Sequence, residues 1–367
     1  MFSFVSLLDA PYPAPNGFGV KAMKKLRALV LMHESLVPPD SLSGYSDEEI
    51  QDWKTEFDVV STLQEIGHEV LPVGVCDDLG VIRRAIVDFR PHIAFNLVEE
   101  FHGVGVYDHH VVSYLELMQQ PYTGCNPRGL LLAHDKPLAK KILSFHGIVT
   151  PSFFVAPMGK KPRLPAGHEF PLLVKSASED ASLGISNKSI VKTKSELLDR
   201  ISFVHEQQKT DALVESYIEG RELYVGVIGN RRLSTFPIWE MVFRNAPADM
   251  QKIASARVKW DTAYQKKYGI DWLAARNLDP VTTRHIQKVC KKVYRALGLS
   301  GYARMDLRLR DDGKIFVLEA NPNPNIAFGD EFAESAESAK IKYPELLRKI
   351  INLGLSYQAA WRLANAA

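Results

Sequence analysis

Four polar residues at alternate spacing, Arg304-x-Asp306 and Glu319-x-Asn321, are the part of this sequence best suited to chemistry. Across residues 301–310, Ala303, Met305, Leu307 and Leu309 fall on one side of an extended chain. Arg304, Asp306, Arg308 and Arg310 fall on the other. Asp312-Gly313 then signals a two-residue hairpin loop, and residues 314–321 return as a second strand. With that loop Asp311 pairs with Lys314, which sets Asp306 opposite Glu319 and Arg304 opposite Asn321 on one face. Two carboxylates facing each other across a strand pair repel. A divalent cation removes the repulsion, and two carboxylates with an amide oxygen are hard ligands suited to Mg²⁺. Arg304 beside them suits a phosphate. An ordinary hairpin with a solvated face shows the same alternation. The run Pro322-Asn323-Pro324-Asn325 after the second strand favours a site.

Two further segments carry weaker signals. Lys175 ends an apolar run and precedes a loop of small residues, 176–185. A lysine there can meet phosphates as a point charge, and small residues let backbone amides fold over a phosphate chain. No Gly-Lys-Ser/Thr follows, so this is not a Walker loop, and a surface loop has the same composition. In residues 214–222 a strand and turn carry Glu215 and Glu222, which could line an adenine slot and meet an exocyclic amine or ribose hydroxyls. Exposed acids on a strand–turn–strand fit that pattern equally.

The elements around these residues alternate. Residues 26–33 read as a buried strand. Ser46 and Glu49 form a capping box that opens a helix running to Ile66, with Gly67 as its stop. A strand at 69–75, a helix at 78–89 and a strand at 92–97 complete a βαβ pattern, hence a parallel sheet. A second piece has helix 135–146, strands 172–175 and 189–191, and helix 194–207. Strands at 212–218 and 222–229 follow, joined through Gly220. Residues 245–272 look polar and irregular, and helix 281–297 precedes the hairpin. The fold class is therefore α/β in the first part. At about 150 residues per domain, 367 residues predict two to three domains.

Composition narrows the function. Lys+Arg 45 against Asp+Glu 43 leaves +2, which excludes a strongly electrostatic nucleic-acid binder. Three scattered cysteines (Cys76, Cys125 and Cys290) argue for a reducing compartment and against a disulfide framework or zinc site. No apolar run approaches the ~18–20 residues of a membrane span, so a cytoplasmic protein without membrane partners is expected. Residues 1–22 read as a tail, with Met23 as a candidate natural start.

In combination these motifs resemble the ATP-grasp superfamily, and most closely its D-alanine–D-alanine ligase branch, over about residues 26–352. Further matches occur in order: His102-Gly103 with Asp108, Leu115-Glu116-Leu117 leading to Pro121-Tyr122-Thr123-Gly124, Asp135-Lys136, Val174-Lys175 and Lys267-Tyr268. The resemblance implies a three-domain architecture, α+β in the ATP-grasp part. Its pieces would be an N-terminal α/β domain at 24–125, a central lid at 126–210 and a C-terminal domain with the metal site at 211–355. It implies ATP between the last two, with Lys136, Lys175 and Ser182 at the phosphates and Glu215 to Ile218 at adenine. Glu222 would meet the ribose. Asp306, Glu319 and Asn321 would hold two Mg²⁺, with Mn²⁺ as a substitute, Arg304 would steady the transferred phosphate, and Lys267 would close over the γ-phosphate. His102 would assist near the substrates; a structural histidine is the plainer account. The likeness also admits a homodimer.

The departures are local. Ala181 stands where the family has a serine that positions the first D-alanine, and Asn325 where it has a glycine beside the second amino acid. Glu34 is the nearest candidate for the family's amino-group glutamate. The expected activity is an ATP-dependent carboxylate–amine ligase that works through an acyl phosphate on an amino acid or peptide, with rewritten amino-acid pockets. Genuine D-alanine–D-alanine ligation, a phosphotransferase and a non-ligating ATP-binding regulatory module are the alternatives.

Overall fold

The computed structural model describes residues 25–178, 184–247 and 250–364. The expectations for Met23, Ala181 and Ser182 fall outside the described residues.

The chain builds three sheets. In the first, β1 (Arg27–His33) lies between β2 (Glu69–Val75) and β3 (Ile93–Asn96), all parallel. β1 is buried on both faces, as its apolar run requires. Ser46 and Glu49 form the reciprocal cap of α1 (Asp47–Asp52). The single helix expected to Ile66 is instead two. The backbone leaves helical geometry at Trp53 (φ −121°, ψ 22°), whose ring packs edge-on against Tyr45 and Phe57, and α2 (Lys54–Glu65) follows. Next come α3 (Gly80–Phe89), α4 (Asp108–Leu117), α5 (Pro127–His134) and α6 (Lys136–Phe145).

The second sheet is antiparallel, in the order β4-β7-β5-β6: β4 (Phe153–Ala156), β7 (Ala212–Ser216), β5 (Leu172–Ser176) and β6 (Ile190–Val191). α7 (Lys194–Phe203) covers it with Leu197 and Ile201. The third sheet runs β11-β10-β8-β12-β13, with β9 (Ser234–Thr235) on β8 (Arg221–Ile228). Its other strands are β10 (Trp239–Phe243), β11 (Ile270–Ala274), β12 (Tyr302–Leu309) and β13 (Ile315–Pro322). β7 and β8 follow one another in the chain but belong to different sheets, and the turn around Gly220 joins them. The stretch 245–272, expected to be irregular, holds α8 (Ala256–Trp260), α9 (Thr262–Tyr268) and β11. Their buried contacts among Tyr224, Met241, Val258 and Ile270 were too dispersed in sequence to show periodicity.

α10 (Pro280–Ala296) packs Ile286, Cys290 and Val293 against Ala303, Met305 and Leu307, the apolar side of β12. α11 (Glu331–Ser338) and α12 (Tyr343–Ser356) pack with β1 and α2 in a separate core, which joins the first and third sheets. α13 (Ala360–Ala364) ends the described chain. All three cysteines are free thiols, with Cys125 and Cys290 buried. No helix among the described residues is long and apolar enough to cross a membrane.

Candidate active site

The polar side of β12 meets the ends of β5 and β7 across a cleft of about 640 Å³ that opens to solvent. Asp306 and Glu319 are directly paired across β12 and β13, as are Arg304 and Asn321. The route to that register differs from the expected one. Arg310 N–H bonds Lys314 O and Gly313 takes φ +81°, so the loop has three residues rather than two. Leu307 then faces Val317, and Leu318 is an extra, bulged residue that restores the pairing at Glu319. Two one-residue shifts cancel. The bulge leaves Leu318 O off the ladder, and Lys140 Nζ donates to it at 3.0 Å.

The opposed carboxylates are held by cations and an amide. Arg304 donates to both oxygens of Asp306, at 2.7 and 2.9 Å. Asn321 Nδ2 lies 3.0 Å from Asp306 and 3.5 Å from Glu319. Burial raises the Asp306 pKa, Arg304 opposes that, and Glu319 adds to it. These three side chains converge hard oxygen donors on one spot, and an amide turned to present its oxygen completes the set. The residues therefore fit Mg²⁺.

Lys175 ends β5 in a chain of charges. Its Nζ lies 3.1 Å from Glu215 and 3.7 Å from Glu319, and Lys140 meets the other oxygen of Glu215 at 2.5 Å. Burial pushes the Glu215 pKa up, but the two lysines outweigh it and hold the carboxylate below its usual range. The Glu215 carboxylate, expected to meet an exocyclic amine or ribose hydroxyls, is engaged by two lysines. Residues 215–218, Ile218 included, do line the cleft. Glu222 was expected at the ribose. Its oxygens take Arg308 Nη2 at 2.5 Å and the Tyr224 hydroxyl at 2.8 Å. Arg308 also donates to Gly220 O and Lys252 O, so it ties three cleft segments together. Lys136 opens α6 and is buried, and its N–H donates to Ala177 O beside the Lys175 loop; it is not among the cleft-lining residues.

Three further expected residues lie away from the cleft. Lys267 sits exposed in the last turn of α9 with its ammonium over the Tyr268 ring. The lysine of this segment that lines the cleft is Lys259, which follows the buried Val258 in α8. His102 is exposed at φ +57° and lines no part of the cleft. Glu34 occupies a short turn against Gly74 rather than a cavity wall. Sequence reasoning also missed Glu331, at the start of α11. Burial pushes it up to about 7 despite Arg304, whose Nη1 lies 3.6 Å away. Lys140, Lys259 and Glu331 had no local signal, since each matters only through partners distant in sequence; Arg308 was legible as part of the polar side of β12, but its partners Glu222 and Lys252 were not.

A family model described as D-ala D-ala ligase C-terminus matches residues 143–352, more than half of the chain. This chain belongs to that ligase family. An uncharacterized protein of Sinorhizobium fredii is 28% identical over 303 residues, 80% of this chain and 85% of its own. The D-alanine–D-alanine ligase of Nitratidesulfovibrio vulgaris is 31% identical over 258 residues, 70% of this chain and 78% of its own. The ATP-complexed D-alanine–D-alanine ligase structure from Bacillus anthracis superposes with a TM-score of 0.69 at 24% identity, over 90% of this chain and 97% of that one, which shows a shared fold. The chain is thus an ATP-dependent ligase of the carbon–nitrogen type, in a family that uses ATP and Mg²⁺ on small amino-acid substrates.

Proposed function

We propose that the protein joins the carboxylate of one small amino acid or peptide to the amine of another through an acyl phosphate, with amino-acid pockets unlike those of a D-alanine–D-alanine ligase. The observation that carries this reading is the convergence of Asp306, Glu319 and Asn321 beneath Lys175 at the seam of two sheets. ATP occupies the cleft, its base along residues 215–218 and its phosphates toward Lys136, Lys175 and the loop containing Ser182. Asp306, Glu319 and Asn321 would hold two Mg²⁺ or Mn²⁺ ions, which would supply positive charge beside the phosphates. Lys175 exchanges Glu319 for phosphate, while Lys140 keeps Glu215 compensated. Arg304 turns toward the transferred group, and Lys259 takes the role expected of Lys267. The substrate carboxylate oxygen attacks the γ-phosphorus and ADP leaves. The amine then attacks the acyl carbon, loses a proton, and phosphate departs.

Ala181 and Asn325 support altered amino-acid recognition. Asn325 Oδ1 is occupied, accepting from Thr55 Oγ1 and Ala327 N–H at 2.8 Å each, so it braces a turn where the family has glycine. A screen of carboxylate and amine pairs for phosphate release, with product masses, tests the proposal. An amide product from a pair other than two D-alanines is expected. Phosphate release that no added pair stimulates contradicts it.

A further inference from the structure

A second, smaller cavity, open to solvent on one side, lies where the first sheet meets the end of β13. Its wall includes Glu56, Asn96, Glu99, Tyr302, Asn323 and Asn325, and no Lys, Arg or His among the described residues lines it. Glu56 is 6% exposed. The hydrogen bond its carboxyl receives comes from its own backbone amide. Burial pushes Glu56 up to about 7, with Glu99 and Asp58 adding to the rise. A buried acid without a cation is costly, and such groups concentrate where ligands bind. The neighbouring amides are already committed: Asn323 Oδ1 accepts from Cys125 N–H at 2.8 Å, and Asn325 Oδ1 braces its own turn. The buried Glu56 carboxyl, with the Glu99 carboxyl in the same wall, gives the cavity its acidic character.

The position decides which cation fits. Asn323 follows Asn321 by two residues, roughly 7 Å along an extended chain. An α-ammonium is only two bonds from its own carboxyl carbon and stays close to the reacting carboxylate. A side-chain ammonium can span the gap.

We propose that this cavity receives the side-chain ammonium of a diamino-acid substrate, with Glu56 as its counter-ion. The substrate identity rests on the ligase reading above; the cation site itself does not. The test compares lysine and ornithine, in both enantiomers, with the neutral analogue norleucine. Phosphate release is measured with ATP and Mg²⁺, and binding to the ATP-free protein by calorimetry. Lysine or ornithine is expected to show a KM and a Kd at least tenfold below those of norleucine. Glu56→Gln should abolish that ratio and leave the KM for ATP within twofold. Equal use and equal binding of norleucine, or a ratio unchanged in Glu56→Gln, overturns the proposal. Failure of the ligase reading looks different: phosphate release is absent for every pair, while Glu56-dependent lysine binding persists.

Discussion

Lys175 touches both an acid of its own sheet and an acid of the β12–β13 hairpin, so its ammonium bridges the two sides of the cleft. Its partner Glu215 depends on Lys140, which is itself buried. Removing one member of a buried pair leaves charge uncompensated. Lys140→Met should therefore destabilise by up to about 3 kcal/mol in denaturant titration, since Lys175 still compensates Glu215 in part. It should also raise the KM for ATP. Lys259→Ala should lower kcat/KM for ATP by about 10- to 100-fold, roughly 1.4–2.7 kcal/mol, while Lys267→Ala stays within about twofold. Steady-state kinetics of the pair checks which lysine serves the cleft. Glu56 gives a prediction in pH. Its folded pKa is raised from 4.5 to about 7, so the folded state binds more protons than the unfolded one across that window. Stability from this group is therefore lost as pH rises from 4.5 to about 7. Glu56→Gln should stabilise by about 3 kcal/mol at pH 8 and by little at pH 4.5, read from thermal melts.

At the scale of elements, the β12–β13 hairpin was the most legible part of the sequence. Alternation set Arg304, Asp306, Glu319 and Asn321 on one face as the structure has them, although the loop is one residue longer than expected and the Leu318 bulge was missed. The bulge was invisible because its compensating partner, Lys140, comes from α6, far away in sequence. The βαβ order of the first sheet and the capping box of Ser46 and Glu49 were legible for the same reason as the hairpin: each is a local rule. The placement of α8 and α9 was not, because their apolar contacts gather from four separate segments. The joint between the first and third sheets is tight. Gly301 has φ +70°, and a Cβ there would strike the Gly124 carbonyl. Gly301→Ala should lower the melting temperature, at a cost of about 1–3 kcal/mol, because both the backbone conformation and the close approach exclude a side chain.

Across the whole molecule, a net charge of +2 hides a concentrated pattern. Lys140, Lys175, Lys259, Arg304 and Arg308 line or flank one cleft with Glu215, Glu222, Asp306 and Glu319. That balance keeps the opposed carboxylates Asp306 and Glu319 compensated by Arg304 and Lys175. A ligand that binds only the folded state raises stability, by about 2.7 kcal/mol at a hundred times its Kd. ATP with Mg²⁺ should therefore raise the melting temperature of the wild type and do so far less in Glu319→Gln. The central claim is that a substrate carboxylate, rather than water, takes the γ-phosphoryl group. It is tested by following ¹⁸O from a carboxylate-labelled amino acid that supports turnover into the phosphate released. The account predicts one labelled oxygen in each phosphate formed with an amide. Unlabelled phosphate, with amide still accumulating, would contradict it.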